Sequence, residues 1–109
     1  MNITEKISQV FKLLSDTNRV KILFSLESGS RTVSQIIETT GMSQPLVSFH
    51  LRSLREAGLI KTLRKSTFVI NELCDDELIN LIRKFEKYGG DNKQNSVSQF
   101  PCTCVADSR

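Results

Sequence analysis

A chain of 109 residues with a formal net charge of +3 has room for one domain and one modest core, and a unit this small gains from burial against a partner. No apolar run reaches the length of a membrane span and no basic-then-apolar leader opens the chain, so the expected compartment is the cytoplasm, with no membrane partner. Three cysteines, an odd number, argue against a secreted disulfide framework, and in a reducing compartment they stay thiols until something binds or oxidises them.

Ile3, Ile7, Val10, Phe11 and Leu14 recur at helical spacing and predict a first helix over 3–14. Ser15 and Asp16 offer caps for a second helix over 16–28, with Val20, Leu23 and Phe24 apolar and Gly29 as its stop. Arg31-Thr32 reads as a short link or a stub of strand. Val33, Ile36 and Ile37 predict a third helix over 33–40. Gly41 suits a tight turn, Ser43 is an N-cap, and Pro45 falls in a first helical turn where a missing N–H costs nothing. The helix that follows, 44–57, has two faces. Val47, Leu51 and Leu54 form a stripe for burial, while Gln44, Ser48, Arg52 and Arg55 recur on another side.

Gly58 ends that helix. Leu59 to Leu63 and Thr67 to Asn71 are rich in β-branched and apolar residues, and the polar link Arg64-Lys65-Ser66 makes them a hairpin over 59–71 with a basic tip. Asp75 and Asp76 then cap a last helix over 75–88, apolar at Leu78, Ile79, Leu81, Ile82 and Phe85 and basic at its end. Residues 91–109 are polar, without periodicity, and read as a flexible tail ending in Phe100-Pro101-Cys102-Thr103-Cys104 before its last few residues. The order gives a mainly α fold with a β-hairpin, a winged helix-turn-helix over 1–90, followed by the tail over 91–109.

The polar side of 44–57 is either a solvated face or one built to read double-stranded DNA. Between Ser43 and Thr67 five basic residues stand against one acid, so the excess positive charge is concentrated there. Gln44 can pair bidentately with adenine, and Ser48 serves either base type. Pro45 and Phe49 can meet a thymine methyl. Ser43 and the first-turn N–H groups suit a phosphate. Arg52 can grip the backbone, and Arg64 and Lys65 suit the neighbouring backbone or minor groove. His50, the only histidine, is either a packing or backbone-bonding residue or a further DNA contact; one nitrogen without a second nearby is a poor metal site.

These residues resemble a known family. Leu14-Ser15-Asp16 through Arg19 and Ile22-Leu23, then Ser43-Gln44-Pro45-Leu46-Val47-Ser48, then His50-Leu51 through Leu54-Arg55-Glu56-Ala57-Gly58-Leu59 are similar to the ArsR/SmtB repressors over roughly residues 3–88. The resemblance implies a dimeric winged helix, joined through its first and last helices. It also implies that an effector ion or a thiol oxidation weakens operator binding. Two departures bear on the effector. The third helix lacks the cysteine cluster of members that sense metal there, and the last helix has no histidine for a zinc site. Phe49 also stands where many relatives have histidine.

The signal is then sought in Cys74, Cys102 and Cys104. Soft thiolates suit arsenic(III), zinc, cadmium or copper(I), and the same thiols suit sulfur redox chemistry. From Tyr88 to Cys102 the extended chain reaches up to about 46 Å, far enough to return to Cys74. The bland alternative is an inert tail with Cys74 in a capping turn. Ile3, Ile7, Phe11, Ile82 and Phe85 read as dimer interface, or in part as intrachain core. The expected function is a homodimeric DNA-binding repressor; the alternative is a winged-helix module that binds other proteins. An enzyme is not expected, since the chain shows no Gly-rich phosphate loop and no nucleophile beside a base.

Overall fold

The computed structural model describes residues 1–90, as a unit over Met1–Asp76 and a second that begins at Glu77. Helix α1 (Ile3–Leu14) opens on a capping box: Asn2 Oδ1 accepts from Glu5 N at 2.8 Å and Glu5 Oε1 accepts from Asn2 N at 3.3 Å. No residue of α1 is buried. Helix α2 (Thr17–Ser25) is capped by Asp16, whose carboxylate accepts from Asn18 N at 2.8 Å. It ends three residues before the expected 28, because the N–H groups of Leu26, Glu27 and Gly29 each turn to a carbonyl three residues back.

Helix α3 (Val33–Thr40) starts on a second capping box, Thr32 with Gln35. Gly41 closes it at φ +77, in the left-handed region, and its N–H reaches Ile37 O at 2.8 Å. Helix α4 (Gln44–Glu56) follows at once, with Ser43 accepting from Leu46 N. Its far end is a Schellman closure: Leu59 N donates to Leu54 O and Gly58 N to Arg55 O, both at 3.0 Å.

Strands β1 (Ile60–Lys65) and β2 (Phe68–Leu73) pair antiparallel from Ile60↔Leu73 to Lys65↔Phe68. The turn is Ser66-Thr67, with Ser66 at φ +59; Arg64 and Lys65, expected in the link, belong to β1. The hairpin therefore runs two residues further than the expected 71. Arg31 adds a one-residue bridge to Asn71, with N–H···O bonds of 2.9 and 2.8 Å, which is the stub of strand.

The core joins α2, α3, α4 and the wing base through Ile22, Leu23, Leu26, Ile36, Val47, Leu51, Leu54, Ile60 and Leu73. Each such side chain contributes about 1.5–3 kcal/mol by leaving water. This packing is what makes α4 present one fixed face outward.

In the second unit, α5 (Glu77–Lys84) has Glu77 in its first turn and Arg83 and Lys84 in its last, as the helix dipole favours. The expected helix over 75–88 is shorter at both ends, its last turn being a 3-10 turn, Phe85–Tyr88, closed by Gly89 N to Glu86 O at 2.9 Å. Ile79 is buried, whereas Leu81 and Phe85 are exposed. None of the described helices is long and apolar enough to cross a membrane.

Candidate nucleic-acid interface

The 3.6-residue period of α4 divides its side chains cleanly. Val47, His50, Leu51 and Leu54 are buried, and Ser43, Gln44, Pro45, Ser48, Phe49 and Arg52 are exposed. Phe49 is 57% exposed, a large apolar ring facing outward. Arg52 Nε lies 3.5 Å from Glu56 Oε2, but both side chains are largely exposed, so this pair is worth only about 0.3–0.5 kcal/mol and leaves the guanidinium available to a phosphate. On the wing, Arg64 and Lys65 are exposed at the end of β1 and, being adjacent in a strand, point to opposite faces.

His50 does not join this surface. Its side chain is 3% exposed and lies within the fold, where Nδ1 accepts from Arg19 Nε at 3.2 Å. With Nδ1 accepting, Nε2 carries the proton and points toward Asp16 Oδ2 at 3.9 Å, too far for a hydrogen bond. The DNA-contact reading of His50 is therefore corrected. Arg19 itself is fixed by a second bond from Nη1 to Leu13 O at 3.2 Å. The histidine thus ties α4 to the start of α2, and its ring meets Phe49 edge-on at 5.3 Å.

A second set of contacts had no counterpart in the sequence reading. Arg55 Nη1 donates to Thr62 Oγ1 at 3.4 Å, Thr62 Oγ1 donates to Asn71 Oδ1 at 3.3 Å, and Asn71 Nδ2 donates to Arg31 O at 3.3 Å. Arg31 Nε continues to Ser25 O at 2.7 Å. Asn71 is 2% exposed. The chain of bonds links the end of α4, both wing strands and the end of α2. Its one local signal was an asparagine inside a strand, where that residue is disfavoured.

Cys74 is exposed, and its N–H donates to Leu59 O at 3.0 Å. It borders a pocket of about 350 Å³ with Asp76 and the Lys61–Glu72 ion pair, 3.4 Å apart. Among the described residues no three His, Cys, Asp or Glu side chains gather so as to hold a metal, so these residues alone do not fit one. Cys102 and Cys104 lie outside the described residues. Of the residues expected at a dimer interface, Ile3, Ile7, Phe11 and Phe85 are exposed and Ile82 is half-buried.

A helix capped at Ser43, set by a glycine turn behind α3, polar on its outer face and flanked by a two-stranded wing with cations at its end, defines a winged helix-turn-helix DNA-binding protein. Residues 16–62 match the model of the bacterial regulatory protein, arsR family. Over 86 residues the chain is 35% identical to the transcriptional repressor SdpR of Bacillus subtilis, a match spanning 76% of this chain and 96% of that one. An arsenical resistance operon repressor of the same organism is 32% identical over 73% of this chain and 77% of that protein. The chain belongs to the ArsR family of DNA-binding transcriptional regulators, which is not enzymatic. Among solved structures, a homodimeric winged helix-turn-helix DNA-binding domain from Mycobacterium bovis matches with a TM-score of 0.70 at 23% identity, over 87% of this chain and 91% of that one, a likeness of fold.

Proposed function

We propose that residues 1–90 form a homodimeric repressor that binds a two-fold symmetric DNA operator in the cytoplasm, and that thiol chemistry involving the 91–109 segment releases it. The observation that supports it is the outward face of α4 with the wing beside it. Ser43, Gln44, Pro45, Ser48, Phe49 and Arg52 are exposed together. In a major groove, Gln44 and Ser48 read base edges, Pro45 and Phe49 meet thymine methyls, and Ser43 and Arg52 hold phosphates. Arg64 and Lys65 take the adjoining backbone or minor groove.

Dimerisation is supported by α1. None of its residues is fully buried, Leu13 and Leu14 being half-buried, while the exposed Ile3, Ile7 and Phe11 line one side of it. Exposed apolar side chains at helical spacing favour a second copy over water. The last helix adds Ile82 and Phe85 to the proposed interface.

The signal is assigned to Cys74, Cys102 and Cys104. Cys74 is exposed at the wing base, where a change is close to the hairpin. A soft ion of the arsenic(III), zinc, cadmium or copper(I) class would be held by the three thiolates together, Cys74 being the one among the described residues. Oxidation is the rival: two thiols become one disulfide, giving two protons and two electrons to an oxidant of the polysulfide class. Either way, a 100-fold loss of DNA affinity needs about 2.7 kcal/mol of differential binding.

The test is fluorescence anisotropy of DNA bound to the full chain, titrated with arsenite, zinc, cadmium, copper(I) and polysulfide. Release of wild type but not of Cys74→Ser or Cys102→Ser/Cys104→Ser is expected. Equal release of wild type and both variants sinks the thiol assignment. Salt-insensitive association with a protein, in place of salt-dependent DNA binding, sinks the repressor reading itself.

A further inference from the structure

The DNA-binding reading uses the cations of the wing and leaves its apolar side chains without a task. The register pairs Arg64 with Val69 and Lys65 with Phe68. Successive strand residues face opposite sides, so each face of the wing tip carries one cation beside one apolar side chain. Phe68 is 61% exposed, and Val69 and Leu63 are also open to solvent. Among the described residues neither Arg64 nor Lys65 has an ion-pair partner, whereas the wing's carboxylate, Glu72, sits near the base and is taken by Lys61 at 3.4 Å.

That distribution selects the partner. A ribbon end that is cationic on both faces, with no acid near it, suits a polyanion that surrounds it on two sides. Charged rims over apolar sugar walls are the features of a DNA minor groove. The tip is also narrow, since the chain reverses over Ser66 and Thr67 alone, with Ser66 at φ +59. A minor groove about 6 Å wide leaves little room beside a ribbon of that width. An aromatic ring there must widen the groove or enter between base pairs, and pyrimidine–purine steps yield most easily.

We infer that Phe68 is an apolar wedge which the wing drives into the minor groove. The chain then reads the deformability of the steps under the wing as well as the base edges under α4. The inference rests on the DNA-binding reading and adds a residue and a second kind of sequence preference to it.

The experiment uses the full chain and a site selected by it from random duplexes. A T-A step or a stiff A-tract is placed through the flank that the wing protects. Affinity is read by anisotropy and bending by circular permutation, for wild type, Phe68→Ser, Phe68→Leu and Arg64→Ala/Lys65→Ala. Wild type is expected to favour the T-A duplex at least about fivefold and to bend it. Phe68→Ser loses the preference and the bend with an unchanged salt slope, Phe68→Leu keeps part of both, and the double cation variant lowers the slope. Phe68→Ser with the wild-type preference and bend overturns the inference while leaving DNA binding intact. Wild type that binds no duplex in a salt-dependent manner overturns the DNA-binding reading, and the inference with it. The side chain is exposed, so Phe68→Ser keeps the wild-type melting temperature within a few degrees.

Discussion

His50→Ala separates a structural histidine from a DNA-reading one. Three losses follow from the geometry. The bond from Arg19 Nε at 3.2 Å involves a charged donor, but Arg19 is only half-buried and recovers part of its solvation, so this loss is about 1 kcal/mol. Removing a ring that is 97% buried, the complement of its 3% exposure, leaves a void and costs about 2 kcal/mol more. The edge-on contact with Phe49 at 5.3 Å adds a few tenths at most, Phe49 being exposed. The total is about 3 kcal/mol, out of the roughly 5–15 kcal/mol that holds a domain of this size together. At about 4–8 °C per kcal/mol, the melting temperature falls by about 12–24 °C. His50→Asn keeps an acceptor near the position of Nδ1 and recovers about a third of that loss. Melting followed by circular dichroism reads the first quantity. Anisotropy at a temperature where every variant is folded reads DNA affinity, expected within about threefold of wild type with the same salt slope. A variant that melts within about 2 °C of wild type, a loss of less than about 0.5 kcal/mol, yet binds DNA more than tenfold more weakly would refute the buried role and return His50 to the DNA surface.

Gln44→Ala is expected to relax base preference at one operator position, at about 1–3 kcal/mol of discrimination, checked by competition between single-substitution duplexes. Arg64→Ala/Lys65→Ala should weaken all duplexes alike and lower the slope of log affinity against log salt by about 2. Phe11 is 49% exposed in the single chain, so Phe11→Glu is expected to leave the fold intact and halve the mass seen by light scattering at micromolar concentration; a persisting dimer would contradict the interface. Gly41→Ala should cost about 1–2 kcal/mol from the left-handed φ alone, because a Cβ there meets no atom within 4 Å.

Much of this arrangement was legible in the sequence because its signals are local. Helical spacing marked the buried stripe of Val47, Leu51 and Leu54, and Ser43 with Pro45 marked where α4 begins. Gly41 marked the turn, and two runs rich in β-branched and apolar residues around a short polar link marked the wing. Each is a property of a few neighbouring residues and the backbone geometry they favour.

What those signals could not carry is the identity of partners distant in the chain. His50 and Arg19 are 31 positions apart, and Asn71 and Arg31 are 40 apart. Nothing beside His50 in the sequence shows that a guanidinium from α2 will sit on its ring nitrogen, so its neighbours alone are compatible with either packing or a DNA contact. Asn71 similarly became a buried hub only once Arg31 and Thr62 came to either side of it. The same holds at the wing tip, where the basic run was evident but the turn begins two residues later than the expected link, at Ser66-Thr67, fixed by the pairing of Ile60 with Leu73 in the core. The sequence by itself determined which helix faces outward and what chemistry that face carries, because periodicity and caps act within a few residues. Only the tertiary structure decided that the histidine belongs to the scaffold and that a phenylalanine stands exposed beside the wing's cations, because burial and strand register depend on the whole fold closing.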